Sequence, residues 1–206
     1  MKRWRRRGGR AVVHCTVPKG TDESPLTAEQ AYAFLADGKK APGLHQTGCD
    51  GVIADEFGHS APYCAAYAKA IRRFLAKPGF EDKAYYPYAN ELWNGKEGIE
   101  LTRAVIDTNG AIAWKRYLKE QRTEADAWRF LGLKIVNSAT NYRQTVPGSV
   151  PCLIACFGYF SAPPESLDTF PHVNYKTWLD MQLNTTAGDP SCDGLGGLMV
   201  YLASYA

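Results

Sequence analysis

One alternation constrains this chain more than any other feature: short apolar runs take turns with amphipathic stretches. The runs over 11–17, 49–57, 84–88, 111–114, 150–159 and 195–201 have the length and the β-branched and aromatic content of buried strands. Between them, 26–35, 63–75, 99–108, 123–141 and 175–186 place apolar residues at the i, i+3, i+4 spacing of one helix face. Thr27 followed by Gln30 offers the first helix a capping box, and Asn109-Gly110 closes the third. Strands separated by helices of this length pair in parallel through right-handed crossovers, so the predicted class is α/β. No G-x-G-x-x-G and no P-loop follows any strand, which leaves the nucleotide-binding form of an open sheet without support. Two strand approaches read alike, Gly48-Cys49-Asp50-Gly51-Val52 and Ser191-Cys192-Asp193-Gly194-Leu195, as successive units of a barrel would. The expected fold is a partial (β/α)8 TIM barrel with about six parallel strands.

A complete barrel of this kind takes roughly 250 residues and eight strands. With 206 residues, the chain is expected to hold one barrel domain over 11–206, truncated at both ends. Residues 1–10 are expected to be the basic end of a helix or a non-native start. Parallel edges left open in this way favour aggregation.

The net charge of +3 is concentrated at the N-terminus, where Lys2, Arg3, Arg5, Arg6, Arg7 and Arg10 stand without an acid. Removing those six from the 24 basic residues leaves 18 against 21 acidic ones, so the body of the chain is mildly acidic. A nucleic-acid binder spreads its Lys and Arg along one face of the fold, and no nucleic-acid partner is expected here. No apolar run approaches the roughly 20 residues that span a bilayer, and no membrane partner is expected either. The stretch 11–17 interrupts its apolar character with His14 and Cys15 and lacks a small-x-small cleavage site, which argues against a signal peptide. The compartment and the oligomeric state are not legible. Six scattered cysteines, none in a CxxC pair, are expected to be free thiols, with Cys152 and Cys156 buried on one face of one strand.

In a barrel, function gathers at the carboxyl ends of the strands. Here those ends carry His14, then Asp55-Glu56-Phe57-Gly58-His59, then Tyr88, Glu91 and Trp93, then Trp114 and Tyr117, then Tyr159, and finally Tyr201. Acids and aromatic rings together suit a sugar, because rings stack on the apolar faces of pyranoses while carboxyl groups move protons. A strand that begins Val52-Ile53-Ala54 has no structural need for two adjacent charges at its end. Glu56 is therefore the candidate general acid or acid/base, a role that calls for a carboxyl pKa raised by apolar surroundings. Alternation sends Asp55 to the opposite side, where it would orient a neighbour or contact substrate. His14, His59, Tyr88, Trp93, Trp114, Tyr117, Tyr159 and Tyr201 are the candidate substrate-binding residues. Two alternatives stand beside these assignments: that Asp55 and Glu56 cap the helix beginning near Ser60, and that Trp114 and Tyr85 are core packing. A glycosidase needs a second carboxyl group about 5 to 9.5 Å away. Glu91 and Glu120 are candidates for it, and the assignment stays open.

Asp50-Gly51-Val52-Ile53-Ala54-Asp55-Glu56-Phe57 resembles the fourth-strand signature of glycoside-hydrolase barrels, the chitinase-like D-G-x-D-x-D-x-E. Asp50, Gly51 and Asp55 match it. Ile53 replaces its first middle acid, Phe57 stands at the place of its catalytic Glu, and Glu56 comes one position early, so the chitinase mechanism is not carried over. The wider arrangement, with Phe157-Gly158-Tyr159, Ser161-Ala162-Pro163-Pro164 and Gly197-Leu198-Met199-Val200-Tyr201, is similar to uncharacterised bacterial glycosyl-hydrolase-like barrel proteins. The resemblance implies a glycoside hydrolase that acts on carbohydrate by carboxylate acid/base catalysis, with no cofactor. Two other functions fit the same residues. One is a barrel that binds carbohydrate without turning it over. The other is a metal-dependent hydrolase using His14, Asp55, Glu56 and His59, although no H-x-H or H-E-x-x-H motif is present. No G-x-S-x-G elbow supports a serine nucleophile.

Overall fold

A computed structural model describes residues 10–58, 61–119, 121–160 and 175–203, and side-chain environments for 10–58, 61–119, 121–157 and 177–200. The expected helix end before Gly8 lies outside the described residues. Six strands, β1 (Val12–Cys15), β2 (Gly51–Phe57), β3 (Ala84–Ala89), β4 (Ile112–Lys115), β5 (Leu153–Phe160) and β6 (Gly197–Ala203), form one sheet in chain order. They run parallel, with helices between them. This is the α/β class the alternation predicts, and the strand order is that of part of a (β/α)8 barrel. The chain divides into two compact units, Met1–Ala113 and Trp114–Ala206.

The first unit carries α1 (Ala28–Ala36), α2 (Pro42–His45), α3 (Pro62–Leu75) and α4 (Lys96–Asp107). The capping box of α1 is made as expected: the Gln30 amide donates to Thr27 Oγ1 at 3.2 Å while Gln30 Oε1 accepts from the Thr27 amide at 2.9 Å. Arg73 pairs with Glu29 between α3 and α1, and Arg72 with Asp107 between α3 and α4 at 2.9 Å. The Asp-Gly approach to β2 has a structural explanation. Asp50 Oδ2 accepts the Ala11 amide at 2.6 Å, and the Asp50 carbonyl accepts the Ala84 amide at 2.8 Å, so one residue ties together the starts of three strands. Gly51 must be glycine because a Cβ there would overlap the Ala84 carbonyl of the adjoining strand.

The second approach is built differently, which corrects the expectation of a repeat. Cys192 closes a 3₁₀ turn, Gly194 sits at φ +80° with open space where a Cβ would stand, and β6 starts only at Gly197. There the close approach belongs to Gly196, against the Pro151 carbonyl.

In the second unit the long helix expected over 123–141 is present as α5 (Glu124–Leu131) and α6 (Asn137–Thr145), continuous through a π turn over Gly132–Val136. Next come a 3₁₀ turn at Val150–Cys152 and then β5, followed by α7 (Tyr175–Gly188). Cys152 thus lies in the turn, half-buried, while Cys156 is buried in β5, so the two do not share a strand face. All six cysteines are free. Burial pushes the Cys15 thiol up to about 11 and the Cys64 thiol up to about 12.

Candidate active site

The site is built where β1 and β2 end. Register pairs His14 with Ile53 and Ile53 with Tyr86, and these residues lie on the face opposite the helices. On the helix face Val52 and Ala54 are fully buried, and Tyr85 stacks on Tyr67 of α3 with ring centroids 6.0 Å apart. Asp55 follows Ile53 by alternation and meets His14, Nε2 to Oδ2, at 3.5 Å. With side chains 61% and 39% exposed, this pair adds little stability.

Glu56 breaks the alternation. Continued from Val52 and Ala54, strict alternation would drive its carboxylate into the helix layer. Instead the register with β3 shifts between Ala54 and Phe57, and Glu56 takes φ +48°. The other non-glycine residue at positive φ among those described is Asn109, which terminates α4 in the ordinary way. The bulge makes Glu56 the extra residue and leaves its side chain exposed, while Phe57 turns back to the helix face. There the Phe57 ring meets Tyr63, Tyr67 and Tyr85 edge-on at 5.4, 5.3 and 6.3 Å. The simple alternation expected across Asp55 and Glu56 is thereby interrupted by a bulge at which the Glu56 side chain is exposed.

Helix α3 starts at Pro62 with Ala61 as its N-cap, whose side chain makes no capping hydrogen bond. The segment after the bulge is held from α3. Tyr63 Oη accepts the Gly58 amide at 2.8 Å and donates to the Glu56 carbonyl at 3.4 Å, and Cys64 Sγ donates to the Gly58 carbonyl at 3.1 Å. Burial pushes the Tyr63 hydroxyl up. Beside it, between the loops that follow β1 and β2, lies a hollow of about 350 Å³ lined by Lys19, Thr21, Asp22, Gly58, Pro62 and Tyr63.

Other candidates fall in different places. Tyr88 is buried at the end of β3, level with the bulge, and Trp93 is half-buried in the loop beyond it. Glu91 is half-buried in that loop, and Glu120 lies outside the described residues. Trp114 is fully buried in the second unit, edge-on to Tyr142 at 6.0 Å, and Tyr85 is fully buried in the first, so both pack the core. Tyr117 is half-buried with Lys115 Nζ 5.3 Å from its ring centroid. His59 lies outside the described residues, as do the side chains of Tyr159 and Tyr201. Among the described residues no group of three His, Cys, Asp or Glu is placed to hold a metal ion. No helix among them is long and apolar enough to cross a membrane. Tyr63 is the functional candidate that sequence reading did not single out. Its place in the first turn of a helix that follows the two acids was the available signal.

The fold defines a class: an α/β protein of six parallel strands in chain order, as in part of a (β/α)8 barrel. Structural comparison agrees at the level of fold. The chain is similar to a GH18 chitinase from Pseudoalteromonas aurantia, with a TM-score of 0.57 and 15% identity over 98% of this chain and 73% of that one. No protein-family profile matches the chain, and no curated protein matches it in sequence.

Proposed function

We propose that the chain acts on carbohydrate as a glycoside hydrolase, with Glu56 as the acid/base and Asp55, oriented by His14, as its charged neighbour. The observation that carries this reading is the bulge. A strand that kept its alternation would bury Glu56, whereas this one holds Glu56 in a strained backbone conformation and leaves its side chain exposed at the strand's carboxyl end. Trp93, half-buried in the loop beyond the next strand end, supplies apolar surface for a sugar ring. Glu91 is the described residue best placed in sequence to act as the second carboxyl group.

The test is hydrolysis of a panel of aryl glycosides, with aryl N-acetylglucosaminides included because the structural neighbour is a chitinase. Glu56→Gln is expected to lower kcat by about 10² to 10⁴ with the fold intact, the usual worth of a general acid. Asp55→Asn is expected to cost less. Unchanged turnover in the Glu56 variant sinks the assignment. A second reading, a barrel that binds carbohydrate without cleaving it, draws on Phe57, which fills with a buried ring the position of the chitinase-like Glu. Saturable glycan binding without turnover, unaffected by Glu56→Gln, would favour it.

A further inference from the structure

The geometry points to Tyr63 as a positioning residue that holds the Glu56 carboxyl group where it can protonate a leaving group, an inference that rests on the acid/base reading of Glu56. Glu56 occupies a backbone conformation that L-residues avoid, at φ +48°, so something must keep it there. The flanking peptide groups show what does. The Gly58 amide is held by Tyr63 Oη at 2.8 Å, the Glu56 carbonyl accepts from the same hydroxyl at 3.4 Å, and the Gly58 carbonyl accepts from Cys64 at 3.1 Å. One phenol hydroxyl thus bridges the residue that carries the carboxylate and the residue two positions on. The phenol is itself fixed. Its ring lies edge-on to Phe57 at 5.4 Å, and its backbone belongs to the first turn of α3. The restraint runs from helix to hydroxyl to bulge, and Tyr63 does not need to touch substrate to matter.

Proton donation to a glycosidic oxygen depends on placement, because a carboxyl group displaced by about an ångström loses most of its advantage. Without the hydroxyl, the segment 56–58 can relax out of the strained conformation and carry the carboxyl group away. Only the step that needs the acid should suffer. Cleavage of a glycoside with a poor leaving group requires the proton to reach the departing oxygen as the C–O bond breaks. A dinitrophenolate departs unprotonated.

Tyr63→Phe keeps the ring and removes the hydroxyl, so a matched pair of substrates separates positioning from general damage. The pair is the methyl and the dinitrophenyl glycoside of the sugar cleaved fastest in the panel. The expected result is a fall in kcat of about tenfold or more on the methyl glycoside and less than about twofold on the dinitrophenyl one, with KM unchanged on both, parallel to the pattern of Glu56→Gln. Combining the two substitutions should add little to Glu56→Gln alone, since Tyr63 acts through Glu56. Equal losses on both substrates, no loss on either, or multiplied losses in the double variant overturn the inference.

Amide hydrogen exchange at Gly58 reads the latch without catalysis, and Tyr63→Phe should speed it by about tenfold or more. Unchanged exchange also overturns the inference. If Glu56→Gln lacks the leaving-group dependence, or no glycoside is cleaved, the acid/base reading falls and the positioning role falls with it, while faster Gly58 exchange would still show the hydrogen bond. If Glu56→Gln shows that dependence and Tyr63→Phe does not, only the positioning role falls.

Discussion

Glycine and alanine at position 56 should rank in the opposite order from almost everywhere else in the sheet. Both substitutions remove the carboxylate, so their difference isolates the Cβ. At an ordinary extended position glycine is the less stable of the two by roughly 0.5–1 kcal/mol, because its unfolded chain has more backbone freedom to lose. At φ +48° the Cβ itself costs about 1–2 kcal/mol by crowding the following carbonyl. Setting one against the other leaves Glu56→Gly more stable than Glu56→Ala by about 0.5–1 kcal/mol. For a chain of this size that is a Tm difference of about 1–4 °C. The internal control is Asp55, next in the same strand and absent from the positive-φ residues, where glycine should fall below alanine by roughly the usual 0.5–1 kcal/mol. Urea unfolding of the four variants, followed by circular dichroism and fitted with a common m-value, gives the two differences. Opposite signs at adjacent positions establish the bulge. If glycine is the less stable residue at both, Glu56 is an ordinary strand residue, and the argument that strain presents its carboxylate collapses.

Three further outcomes follow from the first unit. Tyr85 is fully buried and its hydroxyl has no hydrogen-bond partner among the described residues, so Tyr85→Phe should stabilise the protein by about 1 kcal/mol; a loss of that size in urea unfolding would mean that the hydroxyl is satisfied in solution. Thr27→Ala removes the side-chain half of the α1 capping box and should cost about 1 kcal/mol, measured the same way, with no effect beyond error counting against the cap. The Cys15 and Cys64 thiols titrate near 11 and 12 in the folded chain against 9.0 for the ordinary group, so the folded state holds their protons more tightly. Their contribution is intact below pH 9 and lost as pH rises through 11 to 12, and at pH 10.5 roughly 2 kcal/mol per thiol should already be gone. Cys64→Ala should accordingly show a smaller drop in stability between pH 8 and pH 10.5 than the unaltered chain, and an equal drop would refute the assignment.

The strand and helix positions were legible because burial imposes a period, and the periods survive in composition. Asp50 and Gly51 were legible as a motif but not as a cause. That an aspartate ties three strand starts together, and that a Cβ at Gly51 would strike the Ala84 carbonyl, depend on residues distant in the chain. The same limit explains the false repeat at Ser191–Leu195, where an identical Cys-Asp-Gly takes a left-handed turn because the close approach has moved to Gly196. Strand-end aromatics divided by parity. In β3, Tyr85 faces the helices and Tyr86 and Tyr88 the other side, and composition alone cannot say which of three neighbouring tyrosines is core.

The two acids were legible for a sound reason, that a strand with an apolar start does not need them, yet their orientation was not. Alternation set Asp55 and Glu56 on opposite sides, and strict alternation from Val52 and Ala54 would have turned Glu56 to the helix layer. One extra residue reverses the second outcome, turning Phe57 inward to the tyrosines of α3 and β3 and Glu56 outward. The departure from the chitinase-like pattern is therefore a shift along the chain joined to a shift in backbone. The acid comes one position early, and the bulge that consumes that position returns a carboxylate to solvent at the strand end. On the proposed acid/base reading the sequence difference and the positive φ offset each other, and that is the physical reason to look for chemistry at Glu56 instead of treating the missing Glu at Phe57 as its loss.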